Sequence, residues 1–360
     1  MESNSKANLI KALNIIDNNI YCNKLSQSTL NINDNKENAI NKYNKVSKEV
    51  YASNLEEELE NIKNLIQNEE LVYVGMDTEF PGNVHNLNNI KDDFYYRNMK
   101  LNVESTKLIQ LGITLTNRNG EYLKGSKYNT WQFNFQFDLD TDKYNEKSID
   151  LLKENGMNFE ELKKNGINKK RFASCFIKSG LMFKKNVKWI SYQGLYDFGY
   201  LLKILTNEKL EENENNFIKR LKLYFPSFYD IKLLIKDIDM YSYGGLNKLI
   251  ANLGIERKGI SHQSGSDSIA TVEAFHKLKA NKNINCKKLR YFKNALYGIG
   301  IGRDNKNTIK YINISKDNIN DENIKKKNNY NQFGGNMINK SLNRNNYILY
   351  FIPCFLINRS

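Results

Sequence analysis

The segment VGMDTEFPG, residues Val74–Gly82, places two carboxylates two positions apart in an apolar run that ends in Pro-Gly. Side chains at alternate positions of a β-strand point to the same face, so Asp77 and Glu79 share one face if this run is a strand. An unpaired charge removed from water is costly. A metal ion, a helix N-terminus or an arginine could each neutralise the pair, and the segment alone leaves these alternatives open.

Three strand-like runs begin at this segment and follow one another closely, at Leu71–Phe80, Thr106–Asn117 and Thr130–Phe137. The second and third are separated by RNGEYLKGSKYN, whose Asn-Gly and second glycine are typical of turns. Short links between adjacent strands predict an antiparallel meander. Before the meander, apolar residues recur at helical spacing within residues 46–70, which predicts a helix there.

After Ser148 the pattern becomes mainly helical, with short strands between the helices. We predict strand-to-helix junctions at residues 187–207 and 225–236, and helices at residues 244–255 and 265–280. Strands followed by such alternation indicate a single α/β domain over residues 46–300. Residues 1–45 and 301–360 are rich in Asn and Lys, and we expect a mostly disordered extension and a low-complexity tail.

The formal net charge of +14 suggests a polyanionic partner such as RNA or DNA. That signal is weakened by the abundance of Lys, Asn, Ile and Tyr with only three Pro, a composition typical of A+T-rich coding sequence. The four cysteines are widely spaced and form no CxxC pair, which argues against a zinc ribbon and favours a reducing compartment. The apolar block Tyr347–Ile357 is shorter than the roughly 20 residues that span a bilayer, so we expect no membrane partner.

Two further acids precede apolar helical segments. Asp197 lies in YDFGYLL and Asp267 lies in HQSGSDSIATVEAF. Asp is a preferred N-cap residue, so each acid by itself could simply cap its helix. His262 lies five positions before Asp267, across a Gln-Ser-Gly-Ser loop. A histidine beside a carboxylate is a candidate general base because its ordinary pKa is near neutrality.

The order D-x-E, then D, then H-x4-D resembles the DEDD-class 3′→5′ exonucleases that carry a histidine before the last aspartate. The segments MDTEFPG, YDFGYLLKILTN, YFPSFYDIK and GSDS make the resemblance narrower. With them the chain resembles the CCR-associated factor deadenylases, the DEDD nuclease subunits of the CCR–NOT complex. The resemblance runs from about Glu49 to about Gly300 and preserves the order and approximate spacing of the motifs.

The resemblance implies a ribonuclease H-like mixed sheet flanked by helices and a metal-dependent 3′→5′ exoribonuclease that shortens poly(A) tails and releases 5′-AMP. His262 would take the proton from the attacking water. Two divalent cations, Mg²⁺ or Mn²⁺, suit hard oxygen ligands. The resemblance further implies poly(A) RNA, the CCR–NOT scaffold and a companion deadenylase as partners. It also implies a location in the cytoplasm and in the nucleus as well. The resemblance implies that the metal ligands are Asp77, Glu79, Asp197 and Asp267. These four acids and His262 are the implied catalytic residues.

The chain departs from the family pattern at two places. Gln193-Gly194-Leu195 stand where the family usually has His-Ser-Gly, and the loop Asn83–Lys100 differs in composition and is shorter than usual. Both differences concern substrate contacts and leave the four acids in place. Two alternatives stay open: a non-catalytic scaffold subunit of the same complex, and a DEDD exonuclease that acts on other RNA ends.

Overall fold

The computed structural model describes residues 37–87, 94–242, 244–299, 301–303 and 309–311. Within these residues six strands form one mixed sheet, in the order β1-β4-β3-β2-β5-β6. The expected α/β class with a mixed sheet is therefore confirmed. The strands are β1 (Ser47–Val50), β2 (Val72–Glu79), β3 (Gln110–Thr116), β4 (Thr130–Asn134), β5 (Val187–Ser191) and β6 (Phe228–Asp230).

The predicted meander is present in the middle of this sheet. Strand β2 pairs antiparallel with β3, with Asp77 opposite Gly112 and Glu79 opposite Gln110. Strand β3 pairs antiparallel with β4. Parallel neighbours then extend the sheet on both sides, since β5 pairs with β2, β6 with β5, and β1 with β4. The acids consequently lie at the carboxyl end of a central strand.

Helices cover both faces of the sheet. They are α1 (residues 37–44), α2 (Leu55–Ile66), α3 (Phe94–Ser105), α4 (Glu146–Glu154), α5 (Phe159–Asn165), α6 (Lys169–Phe176), α7 (Leu195–Thr206), α8 (Glu214–Tyr224), α9 (Ile231–Leu234), α10 (Asp239–Ser242), α11 (Leu246–Asn252), α12 (Ser264–Ala280) and α13 (Cys286–Tyr291), with a 3₁₀ turn at Ile177–Ser179.

The alternation of β2 distributes its side chains between two cores. Val74 and Met76 are fully buried in a core that includes residues of α2, α3, α6 and α7. Tyr73 belongs to a second core formed with α12, where its ring lies 5.6 Å from that of Phe275. Because Asp77 and Glu79 continue the Tyr73 series, both carboxylates lie on the α12 face at the end of β2.

The predicted helix over residues 46–70 is wrong at its start. Residues Ser47–Val50 form β1 and pair with β4, and the helix begins only at Leu55. Val50 fits helical spacing locally, but pairing with a strand about 80 residues later decides its conformation, which is a tertiary effect. The other helices and strand-to-helix junctions predicted above are present with small differences at their ends.

The terminal regions are described only in part. The predicted N-terminal extension ends in α1, where Tyr43 is buried, while residues 1–36 lie outside the described residues, as do residues 88–93 of the loop after Gly82. In the C-terminal tail, Ile301–Arg303 and Ile309–Tyr311 pair as antiparallel strands β7 and β8, and the rest, including Tyr347–Ile357, is likewise outside. In the part of the chain that the structure describes, no helix is long and apolar enough to cross a membrane.

Candidate active site

Helix α12 lies very close to the end of β2 because two glycines leave room for it. A Cβ on Gly112 of β3 would lie 2.5 Å from the amide nitrogen of Gly265 and closer still to the Ser264 carbonyl. A Cβ on Gly75 of β2 would lie 2.7 Å from the Cβ of Val272. The helix therefore packs directly on the backbone of both strands, which brings its first turn to the level of Asp77.

The first turn of α12 holds Asp267, and the loop before it holds His262. The Asp267 carboxylate accepts a hydrogen bond from the His262 backbone amide at 3.1 Å and also pairs with Arg257. His262 has a φ of 61°, in the left-handed region, and its side chain is exposed. One ligand atom each of Glu79, His262 and Asp267 lies within 4.8 Å of the others. Two acids and the histidine predicted for the site are thus brought together.

Asp197 approaches from the opposite face of the sheet, in the first turn of α7. Its Oδ1 accepts a hydrogen bond from the Thr78 hydroxyl at 2.7 Å, which ties it to the residue between Asp77 and Glu79. The N-cap of α7 is Gly194 and that of α12 is Gln263. Neither aspartate is the N-cap of its helix, so the structure does not support the simple capping alternative for either acid.

The carboxylates repel one another in a site that is partly shielded from water. Burial raises the pKa of Asp77 well above its usual range, and the charges of Asp267 and Asp197 raise it further. The pKa of Glu79 is raised by burial and by the same two neighbours. Burial also raises the pKa of Asp197, to about 7, against the hydrogen bond from Thr78.

Arg257 is the positive charge that opposes these shifts, since it lowers the pKa of both Asp77 and Glu79. Its guanidinium also donates to the Asn247 side chain at 2.6 Å, and its side chain is 17% exposed. One guanidinium among four carboxylates leaves an excess of negative charge. Hard oxygen donors with excess negative charge fit divalent cations such as Mg²⁺ or Mn²⁺.

A fifth acid, which is buried, supports the site without joining it. Asp230, at the end of β6, accepts backbone hydrogen bonds from Gln193 at 2.9 Å, Gly194 at 3.0 Å, Lys232 at 3.0 Å and Tyr297 at 3.0 Å. It therefore fixes the loop that leads into α7 and Asp197. The sequence segment FYDIK contained this acid, but its bonds to distant amides could not be predicted from local pattern.

Two other residues were not predicted. Arg257 had no local signal that connects it to Asp267. Gln110 lies opposite Glu79, donates to the Asn134 side chain at 2.8 Å, and its buried Oε1 has no hydrogen-bond partner among the described residues. Phe80, which follows Glu79, packs in parallel on Tyr196 with 5.1 Å between ring centroids. It is partly buried against the core, so packing accounts for much of its surface.

A mixed sheet flanked by helices, with acids at the end of its central strand, is the fold of a ribonuclease H-like nuclease domain. The model of the CAF1 family ribonucleases matches residues 50–174. The chain is 41% identical over 258 residues to the probable CCR4-associated factor 1 homolog 7 of Arabidopsis thaliana. The aligned region covers 70% of this chain and 92% of the relative. The protein belongs to the CAF1 ribonuclease family.

Further comparisons agree with this assignment. The poly(A) ribonuclease pop2 of Schizosaccharomyces pombe is 37% identical over 256 residues, covering 69% of this chain and 74% of the relative. A solved structure of S. pombe Pop2p in a Mg²⁺- and Mn²⁺-bound form has a TM-score of 0.65 at 36% identity and covers 70% of this chain and 99% of that chain. This relative therefore binds Mg²⁺ and Mn²⁺.

Another solved structure contains a family member with a partner. In the structure of the yeast NOT1 MIF4G domain co-crystallised with CAF1, the matching chain has a TM-score of 0.58 at 28% identity. The match covers 70% of this chain and 96% of that chain.

Proposed function

We propose that this protein is a poly(A)-specific 3′→5′ exoribonuclease that shortens mRNA tails and releases 5′-AMP. The observation that carries the proposal is the convergence of Glu79, His262 and Asp267 within 4.8 Å at the end of β2. Asp77 lies close enough to Asp267 and Asp197 that the charges of both raise its pKa. Similarity to a poly(A) ribonuclease of S. pombe supports poly(A) as the substrate.

The acids Asp77, Glu79, Asp197 and Asp267 would hold two divalent cations. When bound, such ions activate water and stabilise the charge that develops on the leaving oxygen. The exposed His262 side chain would accept the proton of the attacking water, and the bond from its backbone to Asp267 keeps the loop beside that acid. The Thr78 hydroxyl would hold the Asp197 carboxylate in position.

We also propose that the protein works as the catalytic subunit of a CCR–NOT complex, with a NOT-type scaffold and a companion deadenylase as partners. The similarity to a chain co-crystallised with NOT1 supports this. The proposal extends to the cytoplasm, and to the nucleus, as the places where mRNA tails are shortened.

The test uses purified full-length protein and a 5′-labelled RNA with an oligo(A) 3′ end, with Mg²⁺ or Mn²⁺. We expect stepwise shortening by the wild type and none by Asp77→Asn. The matched control is Asp150→Asn, which changes an exposed acid on α4 and should keep full activity. Equal shortening by wild type and Asp77→Asn, or no shortening with either metal, would refute the catalytic proposal.

Matched RNAs that end in oligo(C) or oligo(U) test the substrate separately. We expect oligo(A) ends to be removed faster under the same conditions. Equal rates on all three ends would instead indicate a DEDD exonuclease with a broader range of RNA substrates, and the poly(A) part of the proposal would be wrong.

A further inference from the structure

A cavity of about 320 Å³ opens beside the candidate active site, and none of the proposed metal ligands lines it. Its walls come from the segment before β3, the residues after β4, the start of α6 and the second half of α7. The apolar part of the wall includes Leu108, Phe135, Ile167 and Ile204. A volume of this size is at the lower end of the range for small-molecule sites, about 300–1,000 Å³, and suits a ligand of nucleotide size.

The cavity is at the same edge of the sheet as the proposed catalytic acids. Leu108 precedes Ile109, whose backbone amide donates to the Glu79 carbonyl at 3.0 Å. On the other side Tyr200 shares a hydrogen bond with the Thr106 hydroxyl, and the Tyr200 ring lies 5.3 Å from that of Phe80. Because neighbouring strands are about 4.8 Å apart, the cavity lies one to two strands from the end of β2.

Positive charge exceeds negative charge around the opening. Lys107, Lys169, Lys203 and Lys209 line it together with Glu104 and Glu208.

Both of these acids have partners outside the opening, and so does Lys107, whose ammonium lies 2.5 Å from the Asp142 carboxylate. Glu208 pairs with Arg220, and Glu104 lies 3.4 Å from Lys100. In contrast, Lys169 and Lys209 are exposed and form no ion pair with any residue that the structure describes.

Lys203 adds a partly buried positive charge at the same opening. Its ammonium donates to the backbone carbonyls of Val103 at 2.5 Å, Glu104 at 3.2 Å and Thr106 at 3.1 Å, close to the end of α3. Burial and the charge of Lys169 together lower its pKa to about 8, against the opposing charge of Glu104. An anion in the opening would relieve this repulsion between the two lysines.

We propose that this cavity binds a nucleoside monophosphate unit, with the phosphate at Lys169 and Lys209 and the base against the apolar wall. The carboxamides of Gln136 and Asn207 line the same opening and can both donate to and accept from the edge of a base. In an enzyme that shortens RNA, the occupant is a nucleotide of the substrate strand upstream of the cleaved end. This assignment of the occupant rests on the proposed function.

The first test measures RNA affinity without turnover. Full-length Asp77→Asn protein is titrated with a fluorescent oligo(A), with and without Lys169→Gln and Lys209→Gln. We expect the double substitution to weaken binding roughly 5–20-fold at low salt. The slope of log Kd against log salt should fall by about 1.4, since each lost contact with single-stranded RNA contributes about 0.7. The matched control, Lys170→Gln with Lys185→Gln, removes two other exposed lysines and should leave both values unchanged.

A second test places the nucleotide directly. An oligo(A) that carries a photoreactive adenine is cross-linked to the protein, and the labelled peptide is identified by mass spectrometry. Labelling of α6 or of residues 207–209 supports binding of a substrate nucleotide in the cavity. Labelling of the same residues by photoreactive AMP supports it too, and would indicate that the released product is a second occupant. Unchanged RNA affinity in the double variant, or labels only at other sites, would overturn the proposal.

The design separates this inference from the proposed function. In otherwise wild-type enzyme the double substitution should raise KM for oligo(A) and leave kcat unchanged. If the enzyme is active and the double variant binds RNA as tightly as the protein without these substitutions, the cavity proposal alone is wrong. A chain that binds RNA through these lysines but never cleaves it refutes the proposed function alone.

Discussion

Replacing Gly112 by alanine puts a methyl group where β3 touches the first turn of α12. The new Cβ would lie 2.5 Å from the Gly265 amide nitrogen, and closer to the Ser264 carbonyl. Because unstrained contacts between heavy atoms are about 3.5 Å, the helix has to retreat by at least roughly 1 Å at this point. Asp267 is two residues further along α12 and would move with it.

Two effects of different size should follow. Overpacking of this kind costs about 1–3 kcal/mol, which for a domain of this size lowers Tm by roughly 3–10 °C. A displacement of about 1 Å at a catalytic group can reduce the rate by about 10²-fold. Turnover should therefore fall much more than the folded fraction at a temperature where both proteins are folded.

The assay compares Tm and kcat/KM on oligo(A) RNA for the wild type and Gly112→Ala. The control is Gly245→Ala, since a Cβ there meets nothing within 4 Å and its φ of −92° suits alanine. If Gly112→Ala remains folded and cleaves RNA at the wild-type rate, then close packing of α12 on β3 does not position Asp267, and the reasoning is wrong.

Three other substitutions test the electrostatics of the domain. Arg257→Gln removes the guanidinium that would compete with a metal ion for Asp267. The metal-free variant should therefore be less stable than the wild type, and Mg²⁺ should bind to it about tenfold more tightly in calorimetric titration. Weaker Mg²⁺ binding would contradict this reasoning. His262→Ala should slow RNA cleavage by roughly 10²–10⁴-fold with little change in metal affinity, and loss of metal binding would show that it is a ligand or a structural residue instead. Burial lowers the pKa of His276 to about 4, so unfolded protein binds a proton first as pH falls. Between pH 6.5 and 4 the wild type should lose up to about 3 kcal/mol of stability relative to His276→Gln in denaturant melts, because the carboxylates with raised pKa values are the same in both proteins.

Local pattern predicts the parts of this molecule that depend on near neighbours. The alternation of β2 is enough to place Asp77 and Glu79 on one face, and short turns are enough to predict the meander. The first turns of α7 and α12 could also be located from their apolar spacing. The prediction that Asp197 and Asp267 belong to one site came from the family resemblance. From the local sequence, each of them could equally be a helix cap.

The unpredicted features depend on partners far away in the chain. Strand β1 exists because it pairs with β4, and four residues are too few to show the alternation of a strand. The role of Gly112 depends on a helix that begins about 150 residues later. Arg257 likewise gains its role only when the loop before α12 folds against Asp267.

The buried carboxylate of Asp230 also sets a limit on where the domain can be cut. One of its four amide donors belongs to Tyr297, beyond the last helix of the domain. A protein truncated after α13 would keep every helix and every strand of the six-stranded sheet, yet it would leave Asp230 without that donor. The loop that carries Gln193 and Gly194 toward Asp197 would then lose part of its anchor. The smallest working nuclease should therefore extend past residue 297, to a boundary set by one hydrogen bond to a buried acid.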